Sequence, residues 1–200
     1  MIEYGINTIG EGVQIFEPVT LGFPSRENLG KTGFNGTIVG KRAVLRPGTV
    51  IYCDVVIGDN FQSGHNVLIR EKTSIGNQTA VGTATIIDGN VTIGNNVSIQ
   101  SMVYIPTNTT IGDHVFIGPN AVLTNDRYPP SPPGNLVGPV LKNRAAIGAN
   151  ATILPGVCIG EGSLVAAGSI VTCNVPDNMM AIGSPARIKE LPKSILANRK

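Results

Sequence analysis

Two hundred residues are enough for one domain with a buried core. The charge is nearly balanced, 15 Lys and Arg against 13 Asp and Glu, with no basic run of five, which argues against a nucleic-acid partner. Aromatic residues make up only 4%, Trp is absent and Gly reaches 25, so the apolar content rests on Ile, Val, Leu and Ala, a composition for stacked aliphatic side chains and many turns.

The opening MIEYGINTIG has neither a basic nor an apolar leader segment, and no secretory signal is expected. No apolar run approaches the ~18 residues of a membrane span. Cys53, Cys158 and Cys173 are odd in number and widely spaced, without a CxxC pair. That spacing disfavours a disulfide framework or zinc site and fits a reducing cytoplasm.

From Val39 an aliphatic residue returns at every sixth position, and fourteen of the fifteen positions to Leu123 keep the rule, with Ser63 the exception. The clock resumes at Ile147, Ile153, Ile159, Val165 and Val171. β-branched residues stand two places before many clock positions (Val55, Val67, Thr85, Val91, Val97), and Gly often follows one, as at Gly58, Gly76 and Gly94. β-branched residues suit short strands, while Gly, Asn and Asp suit turns. A single hexad cannot bury its side chain alone. Three hexads close a triangular coil of 18 residues with the clock residues inward, and coils stack at ~4.8 Å by parallel pairing. The expected fold is an all-β parallel β-helix.

These tandem hexads, an aliphatic residue followed by Gly, resemble the left-handed β-helix acyltransferases over about residues 7–187. Left-handedness comes from this resemblance. It also implies homotrimers with active sites between neighbouring helices, acetyl-coenzyme A as donor, and in sugar-modifying members a role in surface polysaccharide or glycan biosynthesis.

In chain order, the clock fits Ile9, Ile15 and Leu21 and fails at Glu27 and Gly33, so a first coil is expected before a polar loop in GFPSRENLGKTGFNG, residues 22–36. His65 in SGHNVLI follows the broken position Ser63. A histidine with an ordinary pKa of ~6.5 can serve as general base, and His65 is the catalytic candidate, with Asn66 beside it a substrate contact. The plainer reading is a hydrated turn histidine. Gln100 in SIQSM resembles the mid-helix amide that meets substrate in the same group; the alternative is an outward residue of a sheet face. His114 falls at a different corner, above Asn96 and Asn60, and reads as a turn residue. Carbonic anhydrases of this fold use three histidines; with only His65 and His114 here, no metal is expected.

The segment LTNDRYPP, 123–130, resembles the FTND motif of nucleotide-sugar N-acetyltransferases, although Pro130 stands where those enzymes carry Arg. Asn125 and Asp126 become substrate candidates, against the alternative that they bond their own backbone. Residues 124–146 are assigned to an excursion loop that omits one coil and returns on the same kind of face. In the tail, Gly148, Ala149, Ala166 and Ala167 are small residues where relatives lay pantetheine against backbone amides. Arg187 and Lys189, after a closing G-x-P-A-R, are candidates for coenzyme A phosphates or, alternatively, a basic helix end. Residues 1–187 form the β-helix domain, and 188–200 are expected as a short basic helix or tail. The combined expectation is an acetyl-coenzyme A-dependent N-acetyltransferase of a nucleotide-linked amino sugar, with O-acetylation or a structural β-helix subunit as alternatives.

Overall fold

The computed structural model describes residues 1–192. The chain winds into a left-handed parallel β-helix whose three faces are sheets of nine, eight and ten strands. Most strands are two residues long. Pairing advances eighteen residues per coil: Leu68 pairs with Ile86 and Ile86 with Tyr104 on the first face. Ser74 pairs with Thr92 on the second face, and Ala80 with Ser98 on the third. Ile51, Ile69, Ile87 and Ile105 are fully buried in one column, and every clock position from Val39 to Leu123 is buried, Ser63 included. The core is the three clock columns, flanked by inward residues such as Val67, Val97 and Val115.

The turns explain the rest of the repeat. The third residue of many turns is left-handed, as at Asn60 (φ 57°), Asn96 (φ 56°), Asn120 (φ 58°) and Asn150 (φ 56°). Asn tolerates this region better than most L-residues. His114 (φ 58°) occupies this same turn position, which accounts for it without chemistry.

At the second-to-third corner a column of Asp and Asn ties coil to coil. Asp59 Oδ1 accepts from Lys41 N at 2.7 Å and Asn77 Oδ1 from Asp59 N at 2.8 Å. Asn95 Oδ1 accepts from Asn77 N at 2.9 Å and Asp113 Oδ1 from Asn95 N at 2.6 Å. The bond from the Asn95 backbone holds the Asp113 carboxyl below the usual carboxylate range. The bond from the Glu161 backbone, with Lys142 beside it, does the same for Asp177. A depressed native pKa gives stability that is present above the unfolded value of ~3.9 and lost as pH falls through the native value. Thermal midpoints should therefore show no carboxylate-linked loss from ~pH 7 to 5 and fall below ~pH 4. Asp113→Asn should make that acid slope shallower, as read by calorimetry across pH.

Three features differ from expectation. The excursion is shorter: the chain leaves after Val122–Leu123 on the first face and rejoins at Val140–Leu141, which pairs with Thr110–Ile111 and Cys158–Ile159. Leu141, 1% exposed, is itself a clock residue on the second face, so the loop is 124–139 and not 124–146, and it returns on the next face. Ala186–Glu190 is a strand pairing antiparallel with Met179–Gly183, not the start of a helix. Ile188 packs on the core, and the hairpin closes the end of the third face. Residues 193–200 lie outside the described residues. The N-terminal coil does form, but loosely. Ile9 is 39% exposed while Leu21 is buried, and the loop that follows is tied down where Cys53 Sγ accepts from Ser25 N at 3.3 Å.

Candidate functional site

The stacking of coils brings most of the predicted residues to one edge. Along the third-to-first corner, stepping eighteen residues per coil and thirty across the loop, Pro47, His65, Thr83, Ser101, Pro119, Ala149 and Ala167 form one column. Arg46, Gly64, Gly82, Gln100, Gly118, Gly148 and Ala166 form the column beside it. His65 and Gln100 thus share a shallow groove of about 330 Å³ with Arg46, Ser63, Thr83 and Ser101.

Ser63 breaks the aliphatic column for a local reason. Its Oγ accepts from Arg46 N at 2.9 Å and lies 3.0 Å from Thr49 Oγ1, so a hydroxyl serves the turn below. Arg46 Nη1 donates to Ser63 O at 2.6 Å, which holds the guanidinium at the groove. Arg46 was missed in the sequence, although counting eighteen back from Gly64 would have found it. The His65 ring is exposed, and its backbone N donates to Thr83 Oγ1 at 3.3 Å. Asn66 is left-handed (φ 55°), and its Oδ1 lies where a Cβ on Gly48 would fall, 1.9 Å away. Its amide therefore leans on the coil below. Gln100 Nε2 donates to Ser98 Oγ at 3.0 Å, which fixes its amide along the groove wall.

This corner also differs from the second-to-third corner in its backbone. There the Asp and Asn column caps the second N–H of successive turns. Here the corresponding N–H groups of Ser101, Ala149 and Ala167 have no hydrogen-bond partner among the described residues. Small side chains leave them accessible: Ala149 is half-buried and Ala167 exposed. The closing hairpin abuts the same column, with Gly183 N donating to Ser169 Oγ at 3.1 Å. Arg187 and Lys189 are exposed, and alternation along the strand sets both on the face opposite Ile188.

Asn125 and Asp126 lie elsewhere, at the first-to-second corner, and both shape the loop. Asn125 Nδ2 donates to Thr107 O at 3.3 Å, and its carbonyl accepts from Val137 N at 2.9 Å. Asp126 accepts from Ser131 N at 2.8 Å and Tyr128 N at 3.1 Å. The Ser131 bonds hold its carboxyl below the usual carboxylate range. In the single chain, then, the substrate candidates divide between two corners that flank the first face. That face carries an exposed apolar row, with Ile86 at 38%, Val122 at 37% and Ile170 at 38%.

Among known protein families, the bacterial transferase hexapeptide (six repeats) matches residues 90–125 and 138–173, and its gap falls on the loop. The chain is 52% identical over 50 residues to a dTDP-3-amino-3,6-dideoxy-alpha-D-galactopyranose 3-N-acetyltransferase of Aneurinibacillus thermoaerophilus, covering 25% of this chain and 26% of that protein. It is 37% identical over 78 residues to a galactoside O-acetyltransferase of Lactococcus lactis, covering 36% of this chain and 38% of that one. The chain thus spans well under half the length of these two curated relatives. An Arabidopsis UDP-N-acetylglucosamine acyltransferase shares the fold, with TM-score 0.73 and 21% identity over 98% of this chain and 74% of that structure. A hexapeptide-repeat acetyltransferase of Vibrio cholerae, solved with acetyl-coenzyme A, aligns at TM-score 0.51 and 29% identity over 58% of this chain and 69% of that structure.

Proposed function

We propose that the chain, which matches the bacterial transferase hexapeptide family over residues 90–125 and 138–173, is a transferase that moves an acetyl group from acetyl-coenzyme A to the amine of a nucleotide-linked sugar. The observation that carries the donor half is the row of unpartnered backbone N–H groups at Ser101, Ala149 and Ala167 beside Gly148 and Ala166. A pantetheine arm carries amides and carbonyls that suit such a row, and the absence of bulky side chains lets it approach. The Vibrio cholerae relative holds acetyl-coenzyme A on the same fold. Arg187 and Lys189, past the end of the column, suit the phosphates.

The acceptor half rests on the TND segment and on the amino-sugar N-acetyltransferase among the relatives. The acceptor nitrogen attacks the thioester carbonyl. The new C–N bond forms as the C–S bond breaks, and the nitrogen's proton ends on the coenzyme A sulfur as free thiol. The oxyanion passed on the way is stabilised by free N–H donors, each worth a few kcal/mol. Because Asn125 and His65 stand at opposite edges of the first face, a second copy packed on that apolar face would bring the two corners together. We therefore favour a cytoplasmic homotrimer with sites between copies, acting in glycan assembly. O-acetylation is the second reading, favoured by an exposed imidazole in the groove and by the galactoside O-acetyltransferase match.

The test is thiol release from acetyl-coenzyme A against nucleotide-linked sugars with and without an amino group, corrected for the three cysteines. Turnover restricted to amino sugars supports the first reading, and turnover restricted to hydroxyl acceptors supports the second. No turnover, together with no binding of acetyl-coenzyme A, sinks both.

A further inference from the structure

A second cavity, of about 440 Å³, opens at the first-to-second corner among Arg70, Glu71, Lys72, Asp88, Asn90 and Thr107. It lies beside the loop, since Asn108 Nδ2 donates to Leu136 O at 2.8 Å and Asn125 Nδ2 to Thr107 O. Its polar wall is already organised. Arg70 meets Glu71 through Nε (3.1 Å) and Nη2 (2.9 Å), and Asp88 Oδ1 through Nη1 (2.9 Å). Tyr104 donates its hydroxyl to Asp88 Oδ2 at 3.2 Å, and the Arg70 guanidinium lies 5.5 Å over the Tyr52 ring. Burial pulls the Arg70 pKa down, but the bonds and charges of Glu71 and Asp88 outweigh it and raise the value. Burial first, and then Asp88, raise the Tyr104 phenol. At neutral pH Arg70 is therefore charged and Tyr104 neutral; Arg70 is paired with Glu71 and Asp88, whereas Lys72 Nζ lies 3.8 Å from Glu27 Oε1.

One buried residue of this corner, Thr73, breaks a rule of the coil. Thr37, Thr79 and Thr85 each donate Oγ1 to the carbonyl fifteen residues later, at 3.0, 3.1 and 3.0 Å. The same count from Thr73 reaches Asp88, yet Thr73 Oγ1 is buried with no hydrogen-bond partner among the described residues. The turn that follows Asp88 is also unusual, because Gly89 (φ 77°) and Asn90 (φ 48°) are both left-handed where the turn at Asn96 has one such residue. Thr73 is buried and does not line the cavity; the fixed carboxylates of Glu71 and Asp88 are what suit it to a polar occupant.

We infer that this cavity binds the sugar ring of the acceptor by its hydroxyl edge, with Asp88 and Glu71 accepting the hydrogen bonds and Arg70 and Tyr104 acting as positioning residues. The inference rests on the transfer reading above and adds where the acceptor ring sits. A wall whose Arg70 is already paired with both Glu71 and Asp88 suits a neutral polyol better than a diphosphate. The reacting nitrogen would sit away from it: a carboxylate beside the amine would hold it as ammonium and withdraw the lone pair that must attack. Carboxylates with both oxygens oriented are strong acceptors for hydroxyl groups.

The experiment is direct binding, by calorimetry on the full chain, with dTDP-3-amino-3,6-dideoxygalactose and UDP-glucosamine as probes and acetyl-coenzyme A measured separately. Asp88→Asn should weaken at least one sugar nucleotide about tenfold or more, the size expected when a charged acceptor is lost, and leave acetyl-coenzyme A unchanged. Asn90→Ala, outside the ionic network, should weaken the same probe by a smaller factor and guards against a merely misfolded Asp88 variant. Mono-deoxy versions of the probe add a readout that a structural role would not move: one of them should bind wild type and Asp88→Asn equally. Unchanged sugar binding in both variants, or no sugar binding by wild type, overturns the inference. Failure of acetyl-coenzyme A to bind wild type, with the sugar effects intact, would instead remove the transfer reading and leave the sugar site.

Discussion

Phe61→Ala should lose about 3–5 kcal/mol, a large share of the roughly 5–15 kcal/mol that holds a typical domain. Phe61 is fully buried, and so is Ser63 two residues on. In other coils the same pair of inward positions on the third face is Val97 with Ile99, or Val115 with Ile117. Here the interior volume is divided unequally, with a ring at one position and a hydroxyl at the other. Removing the ring leaves a void that two-residue strands, pinned by pairing above and below, cannot close. Restoring the usual pattern with Phe61→Val and Ser63→Val together should recover part of the packing. It should not recover all of it, because Ser63 Oγ also receives Arg46 N and meets Thr49 Oγ1. An orphaned buried donor costs ~1–3 kcal/mol. Urea unfolding of the two single variants and the double variant separates these contributions. Additive losses would show that the two side chains do not compensate each other.

The six-residue period was legible because it is a packing requirement: a clock residue that fails to turn inward removes a layer of core. The polar exception was legible for the same reason, and Ser63 led to the groove that holds His65 and Gln100. The loop was misjudged because Pro-rich sequence runs up to Pro139, just before Leu141, whose burial is fixed by pairing with Ile111 and Ile159, residues distant in the chain. Residues 188–200 read as a short basic helix or tail, yet the pairing of Ala186–Glu190 with Met179–Gly183 overrides that local preference at its start. The network of Arg70, Glu71, Asp88 and Tyr104 was not seen at all. Its members lie on three successive coils, and charged residues at turns look like ordinary solvated ones until the stacking is drawn. Asn125 and Asp126 were found by motif, whereas their bonds to Thr107 and Ser131 depend on the path of the loop.

His65→Asn should lower kcat/KM by more than ~100-fold if the acceptor is a hydroxyl, and by much less if it is an amine. A hydroxyl is a weak nucleophile at neutral pH, and a positioned base typically contributes ~10²–10⁴-fold. A neutral amine already carries the lone pair that attacks and can release its proton afterwards to the thiolate that leaves. Asn keeps a polar planar side chain and suits a turn, and the His65 backbone bond to Thr83 Oγ1 does not depend on the ring. Stability should therefore change little, and a loss of turnover would report chemistry. The pH profile separates the readings further. With a hydroxyl acceptor, an acid limb in kcat/KM that belongs to a base at His65 disappears in the Asn variant. If the amino sugar is the acceptor, any acid limb instead follows the pKa of the sugar's own ammonium and survives the substitution. Equal turnover by wild type and His65→Asn with both acceptor classes would remove His65 from the mechanism and leave the backbone donors at Ser101, Ala149 and Ala167 to carry catalysis with the substrates' own groups.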